Sequence, residues 1–207
     1  MEMRKTGNLP VAILSVLCLT AALGCAGKTR YYVPEVDGVA PTQAAVGTNV
    51  VISGNYFKNI YQVSFGGQIA TWIQVNNENQ IVATVPPTAI SGQIVVMNPA
   101  GVGTLYTSFY VTPAITGVEE ISDPGVTPII LKLTGSGFYS TESVTVGSET
   151  AGQPGSSTFT YNDPNTVTVT VGANATTTPG QPVPVVLTTS GPTAGLSASM
   201  DFTFPAT

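Results

Sequence analysis

The chain has 207 residues, no histidine, 8% charged residues and a net charge of −5. Phosphate binding needs clustered Lys and Arg; only six are present, two of them at the extreme N-terminus, which excludes a nucleic-acid partner. A hydrophobic content of 43% excludes disorder, and 22 glycines with 16 prolines suit short strands and turns rather than long helices.

The first element is a targeting segment. Arg4 and Lys5 precede a mostly apolar run, Leu9 to Leu23, and small residues lead to Cys25. That is the layout of a signal peptide over residues 1–24, and it is shorter than the about 20 apolar residues of a membrane span. The ending "ALGC", Ala22 to Cys25, resembles the lipobox of bacterial lipoproteins. The resemblance implies cleavage before Cys25, a diacylglycerol on its thiol and an acyl chain, typically palmitate, on its amine. Two or three chains hold stably where one holds weakly, at about 0.8 kcal/mol per buried CH2. The competing reading is an ordinary signal peptide that ends near a cysteine.

Cys18 sits inside the apolar run as a small hydrophobe, so Cys25 is the sole cysteine of the mature chain and no intrachain disulfide is expected. Residues 25–32 form a short tether. Ala26 and Gly27, rather than an Asp, follow Cys25, which points to the outer membrane or cell surface rather than the inner membrane. Tyr31 and Tyr32 have two equal readings: residues of the membrane interface, where tyrosine is common, or part of an ordinary tether.

Beyond the tether the chain repeats itself. "SGNYF" at Ser53–Phe57 and "TGSGF" at Thr134–Phe138 align when Gly54 is set on Gly135, an offset of 81. At that offset Phe57 meets Phe138, Val63 meets Val144 and Gly66 meets Gly147. Four matches at one offset mark an internal repeat. Further on, Ile81 and Val85 correspond to Val167 and Val171, Gly92 to Gly180, and Phe109 to Phe202. The second copy is longer over Ser148 to Asn165, where Gly and Pro predict an extended hairpin or loop.

The matched runs alternate with a period of two. Ile94 and Val96 share a face, as do Val183, Val185 and Leu187, and Thr166 to Val171 alternates strictly. Short strands separated by turn residues predict an all-β chain of two tandem immunoglobulin-like β-sandwiches. Phe57 and Phe138 fall just past a strand end, where each ring would fill the space between two sheets.

The first copy resembles an IPT/TIG domain through "SGNYF", "VSFGG", "IVATVP", "GQIVVMNPAG" and "SFYV", in that order between Pro41 and Val111. The second keeps "LTGSGF", "VTVG", "VTVTV" and "DFTF" and resembles a divergent member. The resemblance implies one domain over 33–112 and another over 113–207, with "TPAI", Thr112 to Ile115, as a short stiff linker between them.

Catalytic chemistry has few residues to draw on, and the chain reads as non-enzymatic. No histidine, "GxSxG" or phosphate-loop motif is present. Glu119, Glu120 and Asp123 could offer oxygen ligands to calcium, yet they fit a solvated turn better and no metal or cofactor is assigned. The aromatics are the better lead. In "IATWIQV", Ile69, Thr71, Ile73 and Val75 share one strand face and Trp72 the other. With the first face in the core, Trp72 points outward, and with Tyr56 or Tyr61 near it would form a candidate binding site. The competing reading makes Trp72 a cover for a sheet edge.

Two functions follow. The first is a membrane-anchored surface lipoprotein acting as spacer or protein-interaction module, held in the cell envelope by lipid at Cys25. The second is a surface glycan-binding lipoprotein that uses its exposed aromatics. The partner is accordingly an envelope protein or a glycan.

Overall fold

The structure is a computed structural model that describes residues 30–123, 126–192 and 195–205. The signal segment and Cys25 lie outside the described residues. Among the described residues the regular structure is all strand apart from one 3-10 turn, Phe138–Ser140.

The first sandwich holds ten strands: β1 (Glu35–Ala40), β2 (Gln43–Ala45), β3 (Asn49–Asn55), β4 (Gln62–Phe65), β5 (Gln68–Ile69), β6 (Ile73–Asn77), β7 (Gln80–Thr84), β8 (Ile94–Asn98), β9 (Gly101–Thr104) and β10 (Tyr110–Thr112). One sheet has the order β1-β3-β7-β6 and the facing one β5-β4-β8-β9, all antiparallel. A short parallel pair, β10 with β2, completes it.

The alternation explains the layering. Val50 and Ile52 of β3, with Ile81 and Ala83 of β7, meet Val63 and Phe65 of β4 and Ile94 and Val96 of β8 in one buried cluster. Each Val, Ile or Phe side chain so buried contributes roughly 1.5–3 kcal/mol. Phe57 and Phe109 fill the two ends of that cluster, and the Phe109 ring lies 5.2 Å from Phe65.

The second sandwich holds β11 (Ala114–Glu120), β12 (Ile130–Ser136), β13 (Thr141–Val146), β14 (Thr158–Asp163), β15 (Thr166–Thr170), β16 (Pro182–Thr189) and β17 (Leu196–Thr203). Its sheets run β11-β12-β15-β14 and β13-β16-β17. Leu131, Leu133, Val167 and Val169 face Val144, Val146, Val185 and Leu187, with Phe138 fully buried among them. Phe57 and Phe138 are thus core residues, as their spacing predicts.

Two expectations need correction. Phe109 corresponds to Phe204, not Phe202. Phe109 exchanges backbone hydrogen bonds with Gly92, and Phe204 O accepts from Gly180 N at 2.9 Å, so the matched glycines pair with 109 and 204. Phe204 is buried like Phe109, while Phe202 is half-buried and packs edge-on against it at 5.0 Å. The two-residue shift keeps the face and so was invisible to a period-two pattern.

The second correction concerns 69–75. Ile69 and Val75 are exposed, and of the supposed core face only Ile73 packs against the core. Here the chain leaves one sheet after Ile69 and joins the edge of the other at Ile73, so the crossing residues do not alternate. Ala70, on the supposed outer face, packs inward instead.

In the second copy the insertion after β13 is a loop pinned by polar contacts. Glu149 accepts from Val146 N at 2.6 Å and from Ser157 N at 2.8 Å, and Asn174 Nδ2 donates to Pro154 O at 2.8 Å.

Candidate binding surfaces

The register of β3 separates the three aromatics singled out from the sequence. Tyr56 follows β3 directly, and the next residue, Phe57, donates its N–H to Glu78 O at 2.9 Å. Trp72 O accepts from Thr84 N at 2.9 Å, and Thr84 pairs with Asn49, the first residue of β3. Trp72 and Tyr56 therefore lie at opposite ends of the first sandwich, ~20 Å apart along a seven-residue strand. Trp72 with Tyr56 or Tyr61 as one site is corrected: the structure brings Tyr56 and Tyr61 to one end and Trp72 to the other.

Trp72 is 47% exposed and lies in the crossing between β5 and β6 rather than within a strand. An indole held there by its backbone has a free face for stacking on a planar or apolar partner surface.

The opposite end is built around the entering chain. Asn98, which is buried, donates from Nδ2 to Tyr32 O at 2.8 Å and to Lys58 O at 3.3 Å. Its Oδ1 accepts from Ala100 N at 2.8 Å and Gly101 N at 3.2 Å. Two donors and two acceptors are thus fully used, fixing the 56–61 loop and the entering segment to the β8–β9 hairpin. Pro34 lies so close to Gly103 that an added Cβ would meet Pro34 O at 2.2 Å.

On this frame the Tyr32 and Tyr56 rings stack with centroids 5.0 Å apart and 34° between planes. Tyr31 OH accepts from Asn59 Nδ2 at 2.7 Å. Tyr61 adds a ring that is 61% exposed. Tyr56 has φ 61°, a left-handed conformation costly for a bulky side chain, of order 1–3 kcal/mol. Residues in that region point to function more often than average. Asn98 and the stacking of Tyr32 were not legible as site features. The available signal was the repeat itself, which sets Tyr56 on Gly137 at the offset of 81.

The second sandwich carries an aromatic pair that sequence reasoning missed. Tyr139, in the 3-10 turn, meets Tyr161 of β14 edge to face at 5.7 Å, and both are exposed. Partial burial, then the Tyr139 phenol and the Asp163 carboxylate, push the Tyr161 hydroxyl above its ordinary pKa. The two tyrosines are 22 residues apart, so only the fold brings them together.

A cleft of about 380 Å³ between β1 and β9 is walled in part by Glu35, Asp37 and Tyr106. Among the described residues no three His, Cys, Asp or Glu side chains group as metal ligands. Glu120 instead accepts from Ser122 Oγ at 3.0 Å, and Ser122 Oγ accepts from Ile130 N at 3.2 Å, which closes the turn before β12.

An IPT/TIG domain is found at residues 34–112, by match to that domain family. No curated protein matches the chain. Among solved structures the chain is similar to a protein crystallised with a xylogluco-oligosaccharide, at 19% identity and TM-score 0.47. It is also similar to SGBP-B from a xyloglucan utilization locus of Bacteroides uniformis (21%, 0.35) and to a surface glycan-binding protein of Prevotella bryantii (16%, 0.43). These matches cover 83%, 84% and 83% of this chain and only 41%, 50% and 40% of the respective structures.

Proposed function

We propose that the chain is a non-enzymatic lipoprotein of the cell envelope, anchored through lipid at Cys25 and acting as a stiff spacer that presents interaction surfaces. Its second sandwich serves as a divergent IPT/TIG domain over 113–207. The supporting observation is the junction. Pro113, which is buried, is the single residue between β10 and β11. Gly137 lies against it so closely that an added Cβ would sit 2.9 Å from Thr112 O and 3.2 Å from Pro113 Cα. A connection with neither length nor room to swing transmits position from one module to the next.

Two measurements test this. Small-angle scattering of the full chain in detergent should give one maximum dimension, and a flexible Gly-Ser insertion after Pro113 should broaden its distance distribution. An unchanged distribution would mean the junction was already a hinge. For the anchor, Cys25→Ser should move the protein out of the membrane fraction or leave it unprocessed; unchanged localisation would refute lipidation.

A second reading is favoured by the half-exposed Trp72: a surface glycan held by stacking on the indole, on the outer face of the envelope. Retention on a polysaccharide affinity gel that Trp72→Ala abolishes would support it. Equal retention of both proteins would turn attention to Tyr139 and Tyr161.

A further inference from the structure

We infer that the Tyr56–Tyr61 end of the first sandwich is a lipid-interface seat, docking the domain end-on onto the headgroup region of the bilayer that holds its anchor. This rests on lipidation at Cys25. Only five residues lie between Cys25 and Tyr31, so the six fully extended steps from one to the other reach at most about 20 Å. Whatever surface the chain enters the domain through is confined to that distance from the acyl chains.

The entry surface is suited to that confinement. Tyr32, Val33, Tyr56 and Tyr61 are exposed there, beside Val102 of the β8–β9 hairpin. An added Cβ on Gly101 would meet Val33 at 3.1 Å, which places the valine against the same hairpin. Tyrosine combines an apolar ring with a polar tip and so favours the boundary between hydrocarbon and water. Valines among the rings add apolar area without adding charge.

The rings are also pre-positioned. Buried Asn98 ties both the Tyr32 and the Lys58 backbones to one hairpin. Tyr56 is kept at a left-handed φ where the second sandwich uses Gly137. In the second sandwich that corner is covered by Thr112 and Pro113, so a ring has no room; in the first it carries the half-exposed Tyr56 ring against Tyr32. A patch of this kind adds interfacial affinity to an acyl anchor and turns a tether into an oriented mount.

The native Trp72, at the far end of the same sandwich, is an internal control. The lipidated full chain would be reconstituted into phosphatidylethanolamine–phosphatidylglycerol vesicles, with or without lipids brominated near the headgroup. Tyr61→Trp in a Trp72→Phe background places the probe at the seat; Tyr61 makes no ring-to-ring contact among the described residues, so the fold should tolerate it. A parallel Tyr32→Trp probe guards against local misfolding at 61. The expected result is blue-shifted emission at the seat that brominated lipid quenches, with wild-type Trp72 unquenched. If the protein floats with the vesicles and neither seat probe is quenched, the seat is wrong although the anchor stands. Quenching at both ends would mean a domain lying flat, which also overturns it. If the unmutated protein does not float, the anchor itself fails and the seat with it.

Discussion

The two sandwiches close the same corner with the same glycine–asparagine bonds and diverge at the two residues between glycine and ring, Asn55–Tyr56 in one and Ser136–Gly137 in the other. In the first, Gly54 N donates to Asn79 O at 3.0 Å and Asn79 Nδ2 returns to Gly54 O at 3.0 Å. In the second, Gly135 N donates to Asn165 O at 2.9 Å and Asn165 Nδ2 returns to Gly135 O at 2.7 Å. Phe57 and Phe138 then turn inward beneath the glycine, and between the two landmarks stands Tyr56 in one copy and Gly137 in the other. What the fold requires is the glycine, the asparagine and the phenylalanine. What the surroundings decide is the left-handed residue: a half-exposed corner beside Tyr32 permits a ring, and the packed junction permits none.

The largest effect should come from removing the shared ring. Phe57→Ala and Phe138→Ala should each cost about 3–5 kcal/mol, because both are fully enclosed and the cavity can close only partly. Hydrogen exchange read separately for each sandwich checks it. Loss of protection spread evenly over both sandwiches in either variant would contradict two separate cores.

The glycine above each ring comes next. A Cβ on Gly54 would lie 1.9 Å from Glu35 O and 2.6 Å from Phe57 Cζ; on Gly135, 2.0 Å from Ala114 O and 2.5 Å from Phe138 Cζ. The obstacle is backbone and a locked ring, neither of which can yield cheaply. Gly54→Ala and Gly135→Ala should each destabilise by about 3 kcal/mol, the upper end for overpacking. Denaturant unfolding that gave clearly different costs for the two would show that the corners are not equivalent.

Exchanging the divergent residue sharpens the contrast. Gly137→Tyr must fit a Cβ against Thr112 and Pro113 at a positive φ, so it should lose about 1–3 kcal/mol. Tyr56→Gly relieves strain and loses the Tyr32 stack, worth about 0.5–1.5 kcal/mol, so its net change should stay within about 1 kcal/mol. Similar losses from both changes would mean that Tyr56 is a structural residue after all.

Much of this corner is legible in the sequence because it is local and repeated. Glycine and phenylalanine keep their spacing, and Ile81 set on Val167 also sets Asn79 on Asn165. Strand period gives the buried faces of β8, β15 and β16. It fails at 69–75, where the chain changes sheets, and at Phe202 against Phe204, which share a face. The candidate surfaces were less legible for a further reason. Asn98 acts through backbone partners at Tyr32 and Lys58, and Tyr139 meets Tyr161 only through tertiary packing. Neither relation leaves a trace in spacing.

The smallest expected effect distinguishes the aromatic pair of the second sandwich by titration. The Tyr161 hydroxyl is held above its ordinary value of 10.0 by partial burial first, then by Tyr139 and by Asp163. Folding therefore favours the protonated phenol. In the unfolded chain the proton leaves near the ordinary value, so above it the unfolded state binds fewer protons than the folded one. The contribution is fully present below pH 10.0 and is lost as pH rises through the higher folded value. With the ring exposed to solvent, the stability change should be small. Ultraviolet absorbance titration of tyrosinate is the more direct measurement. Tyr139→Phe keeps the edge-to-face ring and removes the neighbouring phenolate, so the Tyr161 midpoint should move down towards its ordinary value without reaching it. Asp163→Asn should move it in the same direction by a smaller step, Asp163 being the last of the three causes. If neither change moves the midpoint, burial alone sets it and the two phenols are neighbours without electrostatic coupling.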